Sequence, residues 1–180
     1  MSGRRKAVVS NGLVVFRSEM KEKVEVLLSS DGSGLAVYDS QTGNLLHLYK
    51  GGQTSPNTVS WLGQDWLLSA GGEKPLLNVW QSSRAEQAPV RLFTPAPAQA
   101  LAASPSGLYL AAATAETITI YLLSTGAVAG VVTRHYQPIT VLAWTADSSH
   151  LISGGEDGQV RVTLFTFNYV SLQNSNISRI

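Results

Sequence analysis

The sequence predicts an all-β fold in which about four similar units follow one another. Two observations predict it. Short segments rich in Val, Ile, Leu, Thr and aromatic residues alternate with turns rich in Gly, Ser and Asp. The same features also recur at a constant interval, because the equivalent positions Tyr38, Trp80, Tyr121 and Thr163 are separated by 42, 41 and 42 residues.

Other markers keep the same register, which argues against a chance repeat. Gly43 follows Tyr38 by five residues, and Gly126 follows Tyr121 by five. A β-rich repeat of about 40–45 residues is typical of the blades of a β-propeller. We therefore expect residues 24–162 to form about four blades. In a ring of more than four blades, these residues form only part of the propeller.

The most complete unit covers residues 133–162. Its predicted strands are 139–144, 150–153 and 159–162, and a tight turn, Gly-Gly-Glu-Asp-Gly, occupies 154–158. Residues Ser153 to Val162 read S-G-G-E-D-G-Q-V-R-V. This pattern resembles the WD40 repeat, so the resemblance implies a WD40-type β-propeller.

The resemblance also implies a hydrogen-bonded lattice inside the blade. In WD40 blades a His, a Ser or Thr, an Asp and a Trp are linked, and His135, Ser153 and Asp157 match the first three. Thr163 stands where the Trp is expected, so the lattice is incomplete. A buried Asp requires hydrogen-bond partners, and we interpret these residues as structural rather than catalytic.

The earlier units are read in the same way. Strands are predicted at 26–30, 35–38, 45–49, 58–62, 66–70, 76–80, 90–93, 98–103, 108–112, 117–121 and 127–132. A polar loop is predicted at 82–88. The first unit is short by one strand, which is either missing or supplied from elsewhere. Residues 1–23 show no clear period and are predicted to be an N-terminal segment, and residues 163–180 a divergent tail.

Composition excludes several classes of protein. The chain has 180 residues, of which 44% are hydrophobic and 14% charged, with a formal net charge of +1. This charge gives no electrostatic case for a nucleic-acid partner. The absence of cysteine excludes a disulfide scaffold and a Cys-based zinc site. No apolar run approaches the roughly 18 residues of a membrane-spanning helix.

The motifs of common enzyme classes are missing. The sequence has no G-x-S-x-G, no phosphate-binding loop and no G-x-G-x-x-G. The histidines His47, His135 and His150 are far apart, so no metal site is predicted. His150 follows Ser148 and Asp147, but neighbouring residues on a turn and a strand are expected to point in different directions. We predict no enzyme activity, no cofactor and no metal.

A narrower resemblance covers most of the chain. Several short motifs are similar to those of a WD40 subfamily that matures the large ribosomal subunit. They are Tyr49–Gln53, Ser104–Tyr109, Ser124–Gly126, Arg134–Gln137 and Asp147–Gly155. The resemblance implies a scaffold subunit of a nuclear complex that supports removal of the internal spacer from ribosomal RNA. Implied partners are helical-repeat scaffold subunits, an AAA-type ATPase and the pre-60S particle, with no direct specific nucleic-acid binding and no membrane.

The same resemblance implies a location in the nucleolus and nucleoplasm, with the cytoplasm as a further location. The alternative is a general WD40 interaction module in another pathway, such as replication licensing or phosphoinositide-linked trafficking. Phosphoinositide-binding relatives carry F-R-R-G, whereas Arg4 and Arg5 lack the Phe. The chain is expected to be a C-terminally truncated product, and the rival expectation is that residues 163–180 close a four-bladed ring.

Overall fold

The computed structural model describes residues 14–17, 25–30, 34–39, 42–50, 57–62, 66–70, 73–81 and 87–165. In these residues the regular elements are fifteen β-strands and no helix. Every strand pairing is antiparallel, and the strands form four separate sheets. The predicted all-β fold is confirmed.

Each sheet is one blade, and its strands follow one another in chain order. Blades 1 to 3 have four strands and blade 4 has three strands in the described residues. Blade 1 contains β1 Val14–Arg17, β2 Glu25–Ser30, β3 Gly34–Asp39 and β4 Leu45–Lys50; blade 2 contains β5 Val59–Leu62, β6 Trp66–Ala70, β7 Leu76–Gln81 and β8 Gln87–Phe93; blade 3 contains β9 Ala100–Ala103, β10 Tyr109–Thr114, β11 Thr117–Leu122 and β12 Ala127–Thr133; blade 4 contains β13 Ile139–Trp144, β14 His150–Gly155 and β15 Val160–Leu164.

Tight turns allow consecutive strands to pair. Gly126, between β11 and β12, has a φ of +72°, a left-handed conformation that glycine adopts without strain. A Cβ atom at Gly126 would lie 2.9 Å from Leu92 Cδ2, so the turn also packs closely on blade 2. Gly43 occupies the matching turn of blade 1 with a φ of +67°. The two glycines that marked the repeat thus have the same backbone role.

The repeat positions found in the sequence are equivalent in the structure. Tyr38, Trp80, Tyr121 and Thr163 each pair with a residue on the second strand of their own blade: Val26, Leu67, Leu110 and Leu151. In blades 1 to 3 the pairing of the third and fourth strands shifts at this position, as in a β-bulge. The bulge is therefore part of the repeat.

The first strands of neighbouring blades lie side by side, β5 beside β9 and β9 beside β13. Hydrogen bonds connect them. The backbone N–H of Ala103 donates to Ser60 Oγ at 2.9 Å, and Trp144 Nε1 donates to the Ala102 carbonyl at 3.0 Å. Asn57 Nδ2 reaches the Thr140 carbonyl at 3.0 Å and so connects blade 2 with blade 4. This arrangement around a common centre is that of a propeller.

The hydrophobic core lies between blades, where the facing sheets pack on each other. Three clusters of buried residues fill the three spaces. Between blades 1 and 2 are Leu35, Val37, Tyr49, Val59, Leu67 and Trp80; between blades 2 and 3 are Leu68, Ala70, Leu77, Val79, Leu92, Ala98, Leu101, Leu110, Ala112 and Tyr121; between blades 3 and 4 are Ala100, Ala102, Tyr109, Ala111, Ala113, Ile118, Ile120, Val132, Ile139, Leu142 and Leu151.

Most strands begin and end within two residues of the predicted bounds, and three differences change the assignment of a segment. β1 lies inside residues 1–23, where no clear period was seen, and it supplies the strand that the first unit lacked. β8 begins at Gln87, inside the loop predicted for 82–88, and continues through Pro89. Since proline weakens a strand pattern, the start of β8 was missed. β15 ends at Leu164, two residues into the predicted tail; residues 166–180 lie outside the described residues.

Candidate functional site

Blade 4 brings together the three residues that the resemblance singled out. His135 Nδ1 lies 3.1 Å and 3.0 Å from the two carboxylate oxygens of Asp157, and His135 Nε2 lies 2.9 Å from Ser153 Oγ. Since a carboxylate only accepts, Nδ1 donates to Asp157; Nε2 then accepts from the Ser153 hydroxyl. The segment before β13, the strand β14 and the turn before β15 are thereby joined.

The turn between β14 and β15 is shaped for this contact. A Cβ atom on Gly155 would lie 2.8 Å from His135 Nδ1 and 3.1 Å from Asp157 Oδ1, so a larger residue would push the imidazole away. Gly158 has a φ of +69° and donates its N–H to the Gly155 carbonyl at 3.1 Å. The Gly-Gly-Glu-Asp-Gly sequence therefore both turns the chain and leaves room for the ring.

Asp157 is held as a carboxylate by several donors. Burial of the carboxyl group raises its pKa, but hydrogen bonds from the backbone N–H of Gln159, the backbone N–H of Tyr136 and the His135 ring lower it. The net effect is a pKa below the ordinary value for an Asp. The ion is thus favoured in the folded chain.

The fourth lattice position is occupied by Thr163, which is 2% exposed. Threonine has no indole N–H that could donate a hydrogen bond to Ser153. Blade 2 shows the missing half of the arrangement. Trp80 Nε1 donates to Ser69 Oγ at 3.0 Å, and both residues are buried. Ser69 and Ser153 hold equivalent positions on the second strands of their blades. Ser69 lies two residues after Leu67, the partner of Trp80, and Ser153 lies two residues after Leu151, the partner of Thr163.

The Trp80–Ser69 pair was missed in the sequence analysis, which considered the lattice only in blade 4. A signal was available, since a Ser on the second strand preceded a Trp on the third strand. Blade 3 has neither half: the position equivalent to Ser153 is Ala112, which is fully buried and apolar. The chain therefore divides the lattice between blades 2 and 4.

The position of the lattice limits its chemistry. Ser153 and His135 are 2% and 6% exposed, so a substrate could reach the Ser153 hydroxyl only if the blade opened. The His ring also holds both its nitrogens in internal hydrogen bonds. The geometry suits a structural link between three segments, and that role remains a prediction that stability measurements can test.

A second polar cluster lies on the turn between β13 and β14. Ser149 Oγ lies 2.7 Å from Asp147 Oδ2 and 2.6 Å from His150 Nδ1, while Ser148 Oγ accepts from the Ser106 backbone N–H at 2.9 Å. The side chain that contacts His150 is thus Ser149, a residue that the expectation for Asp147, Ser148 and His150 did not include. Hydrogen bonds from the Thr145 hydroxyl and then from Ser149 hold the pKa of Asp147 well below its usual range.

This second cluster does not have the order of a catalytic triad. In a triad the His lies between the nucleophile and the carboxylate, whereas here Ser149 lies between Asp147 and His150. The cluster shapes the turn. The described residues also contain no group of three side chains suited to hold a metal ion. In the same part of the chain there is no helix that could span a bilayer.

One aromatic residue beside the lattice is open to solvent. Tyr136 follows His135, is 78% exposed, and donates its backbone N–H to Asp157 Oδ2 at 3.2 Å. The Arg161 guanidinium carbon lies 5.6 Å from the centre of its ring, within the range of a cation–π interaction. The lattice therefore fixes the backbone of an exposed tyrosine. Arg4 and Arg5, considered above for phosphoinositides, lie outside the described residues.

Comparisons with known proteins agree with this geometry. The WD40 family profile, described as WD domain, G-beta repeat, matches residues 126–163, which span β12 to β15. One chain of the crystal structure of the mitotic checkpoint complex superposes with a TM-score of 0.66, covering 84% of this chain and 47% of that chain at 20% identity. At this identity the likeness shows the fold alone.

Two curated relatives are more similar in sequence. WD repeat-containing protein 18 of Danio rerio is 37% identical over 89% of this chain and 37% of its own length. Pre-rRNA-processing protein pro-1 of Caenorhabditis briggsae is 29% identical over 86% of this chain and 31% of its own length. The chain thus spans about a third of each relative, and neither name denotes an enzyme. From the repeat register, the propeller arrangement and these likenesses together, the chain belongs to the WD40-repeat family and is similar to WD repeat-containing protein 18.

Proposed function

We propose that this chain is a non-catalytic scaffold in a nuclear complex that matures the large ribosomal subunit and processes ribosomal RNA. The observation that carries the proposal is its similarity to two relatives at once. One is WD repeat-containing protein 18, and the other carries pre-rRNA processing in its name. Both matches cover more than four fifths of this chain, so they rest on more than one blade.

The architecture supports a binding role. Stacked sheets with interblade cores give a rigid body, and function on such scaffolds resides in exposed loops and rims. The lattice residues His135 and Ser153 are buried, and both ring nitrogens of His135 are held in internal hydrogen bonds, which suits a structural role.

Tyr136 is the residue that we propose as a partner contact. Tyrosines are enriched among residues that dominate binding energy, because they supply a large contact area at a low entropic cost. The hydrogen bond to Asp157 and the nearby Arg161 side chain restrict Tyr136 before any partner binds. Preorganisation of this kind reduces the cost of association.

The test is affinity purification of the tagged chain from nuclear extract, with quantification of bound proteins by mass spectrometry. The expected result is recovery of large-subunit assembly factors, helical-repeat subunits and an AAA-type ATPase. A parallel measurement depletes the endogenous protein and follows precursor RNA on northern blots. We expect precursors that retain the internal spacer to accumulate.

Two surface variants serve as a matched pair in the purification. Tyr136→Ala and Phe93→Ala each remove one exposed aromatic ring, from the turn beside the lattice and from the rim strand β8 respectively. We expect Tyr136→Ala to lower partner recovery while Phe93→Ala leaves it unchanged. Recovery of an unrelated set of proteins, together with normal precursor RNA after depletion, would reject the ribosomal role and leave a general interaction module.

A further inference from the structure

Asn57, which lies just before β5 in blade 2, contacts each of the next two blades. Its carbonyl accepts a hydrogen bond from the Leu101 N–H of β9 at 2.8 Å. Its side-chain Nδ2 donates to the Thr140 carbonyl of β13 at 3.0 Å. A single residue of blade 2 is therefore bonded to blade 3 and to blade 4, near the common centre where the first strands lie side by side.

The backbone of Asn57 is already fixed where the side chain begins. Its φ is +66°, in the left-handed region that asparagine adopts more readily than most residues. Its carbonyl bond holds the peptide against Leu101, which is 5% exposed. The next residue, Thr58, accepts from the Ala70 N–H at 2.9 Å within blade 2. The side-chain torsions are thus the main freedom that Asn57 loses on reaching Thr140, which keeps the entropic cost of the bond low.

The acceptor of this bond lies in a β-bulge. Ile139 pairs with Gly155 and Val141 pairs with Gly154, so Thr140 is the extra residue between them. The extra residue of a bulge is left out of the ladder, and its carbonyl can therefore accept from a donor outside the sheet. In the described residues, the first strands of blades 2 and 3 pair with their second strands without such a shift. The bulge thus distinguishes the blade that receives the amide.

Blade 3 has a similar amide that makes no such link. Asn57 lies two residues before the partner of Ser69, and Gln99 lies two residues before the partner of Ala112, which is equivalent to Ser69. Gln99 is exposed, and its backbone N–H donates to the Ala113 carbonyl of its own blade at 2.8 Å. Among the described residues, its side chain makes no hydrogen bond to another blade. Gln99 therefore offers a matched position at which the contact is missing.

The Asn57–Thr140 bond differs in range from the other interactions between blades. In a row of stacked repeats each unit contacts its neighbours, so stability is close to a sum of unit and neighbour terms. The three interblade cores follow this rule, because each joins two consecutive blades. The Asn57 amide instead passes over blade 3. We infer that Asn57 is a latch that couples the local opening of blade 4 to the folded state of blade 2.

The latch has a consequence for binding that does not depend on the ribosomal role proposed above. A coupling free energy between two regions acts equally in both directions. A partner that holds blade 2 in place therefore also restricts the start of β13 in blade 4. This strand follows directly on the segment that carries the exposed Tyr136. The bond itself is exposed, so water competes with it and the coupling is modest.

Hydrogen–deuterium exchange of the full 180-residue chain, read by mass spectrometry of peptic fragments, tests the inference. Asn57→Asp keeps the size of the side chain but replaces the donor by a carboxylate, which only accepts. We expect exchange in β13 and β14 to accelerate by about three- to tenfold, the loss of one exposed hydrogen bond, while β10 and β11 of blade 3 change by less than about twofold.

Two further variants make the test specific for the latch. Gln99→Glu is the matched control, because it makes the same change from amide to carboxylate at the equivalent position, and we expect it to leave exchange in blade 4 unaltered. Asn57→Gly keeps the left-handed backbone without strain and adds no charge, and we expect it to accelerate exchange in blade 4 as Asn57→Asp does. Unaltered exchange in blade 4 for either Asn57 variant, an equal effect of Gln99→Glu, or an acceleration spread evenly over blades 2 to 4 would each overturn the inference.

Discussion

Blades 3 and 4 share one backbone design but are stabilised by different chemistry. The centre of blade 3 is apolar, with Ala112 fully buried where blade 4 has Ser153. Blade 4 instead ties three of its segments together through His135, Ser153 and Asp157. The repeat therefore specifies strand register and packing positions, while the interactions that hold the strands together differ between these two blades.

The largest effect is expected in blade 3. Ile120→Ala removes a fully buried side chain from the core between blades 3 and 4. Such truncations leave a cavity, and we expect a loss of about 2–5 kcal/mol in the free energy of unfolding. Urea unfolding followed by circular dichroism measures it. Val160→Ala, at an exposed position of blade 4, is the control and should cost under about 1 kcal/mol.

A loss no larger for Ile120→Ala than for Val160→Ala would show that the described interblade core is not what stabilises blade 3.

The second effect addresses the lattice itself. Ser153→Ala leaves His135 Nε2 buried without its hydrogen-bond donor, which we expect to cost about 1–3 kcal/mol of stability. The reciprocal change, Ala112→Ser, buries a hydroxyl in the apolar centre of blade 3 and is expected to destabilise by a similar amount. Both are measured by urea unfolding.

If Ser153→Ala were neutral, the structural role predicted for the lattice would be wrong. If Ala112→Ser stabilised the chain, the two blades would tolerate the same chemistry and the comparison between them would fail.

The third effect is a dependence on pH that only blade 4 should show through its lattice. The folded-state pKa of Asp157 is depressed, so its contribution is present above the unfolded value of about 3.9 and is lost as pH falls through the folded value. We expect Asp157→Asn to flatten the acid limb of a stability–pH profile measured by thermal melting.

Asp147 also has a depressed pKa, and its carboxylate lies in the exposed turn between β13 and β14. Asp147→Asn is therefore needed beside Asp157→Asn, to separate the contribution of the turn from that of the lattice. An unchanged acid limb in Asp157→Asn would contradict the assignment of Asp157 as an ionised partner of His135.

The smallest effect on stability is expected for Tyr136→Ala, because the ring is exposed and only its backbone contacts Asp157. We expect a change within about 0.5 kcal/mol in the free energy of unfolding. A larger loss would mean that the tyrosine ring supports the lattice, and the loss of partner recovery proposed for this variant could then not be read as a binding effect.

The fold and most strand positions could be predicted from the sequence. The recurring residues Tyr38, Trp80, Tyr121 and Thr163 lie at equivalent places in the pairing of the second and third strands of each blade. Two parts could not be predicted, for physical reasons. β1 is only four residues long, so its period was too short to detect. β8 contains Pro89, which masks a strand signal although an outer strand tolerates it.

The residues of the candidate site were likewise predicted only in part. His135, Ser153 and Asp157 were found because a family pattern places them at fixed positions. The Trp80–Ser69 bond was missed, because each residue is ordinary in its own strand and only the pairing of β6 with β7 brings them together.

The β-bulge at the fourth strand of blades 1 to 3 has a consequence for the outside of the molecule. Outer strands present unpaired backbone groups to which a strand from another chain can add, and this is a common origin of aggregation. A bulge twists the strand locally and interrupts a straight row of such groups. With a bulge beside β4, β8 and β12 alike, we expect the rim of blades 1 to 3 to resist edge-to-edge growth, and partners there to recognise side chains rather than extend the sheets.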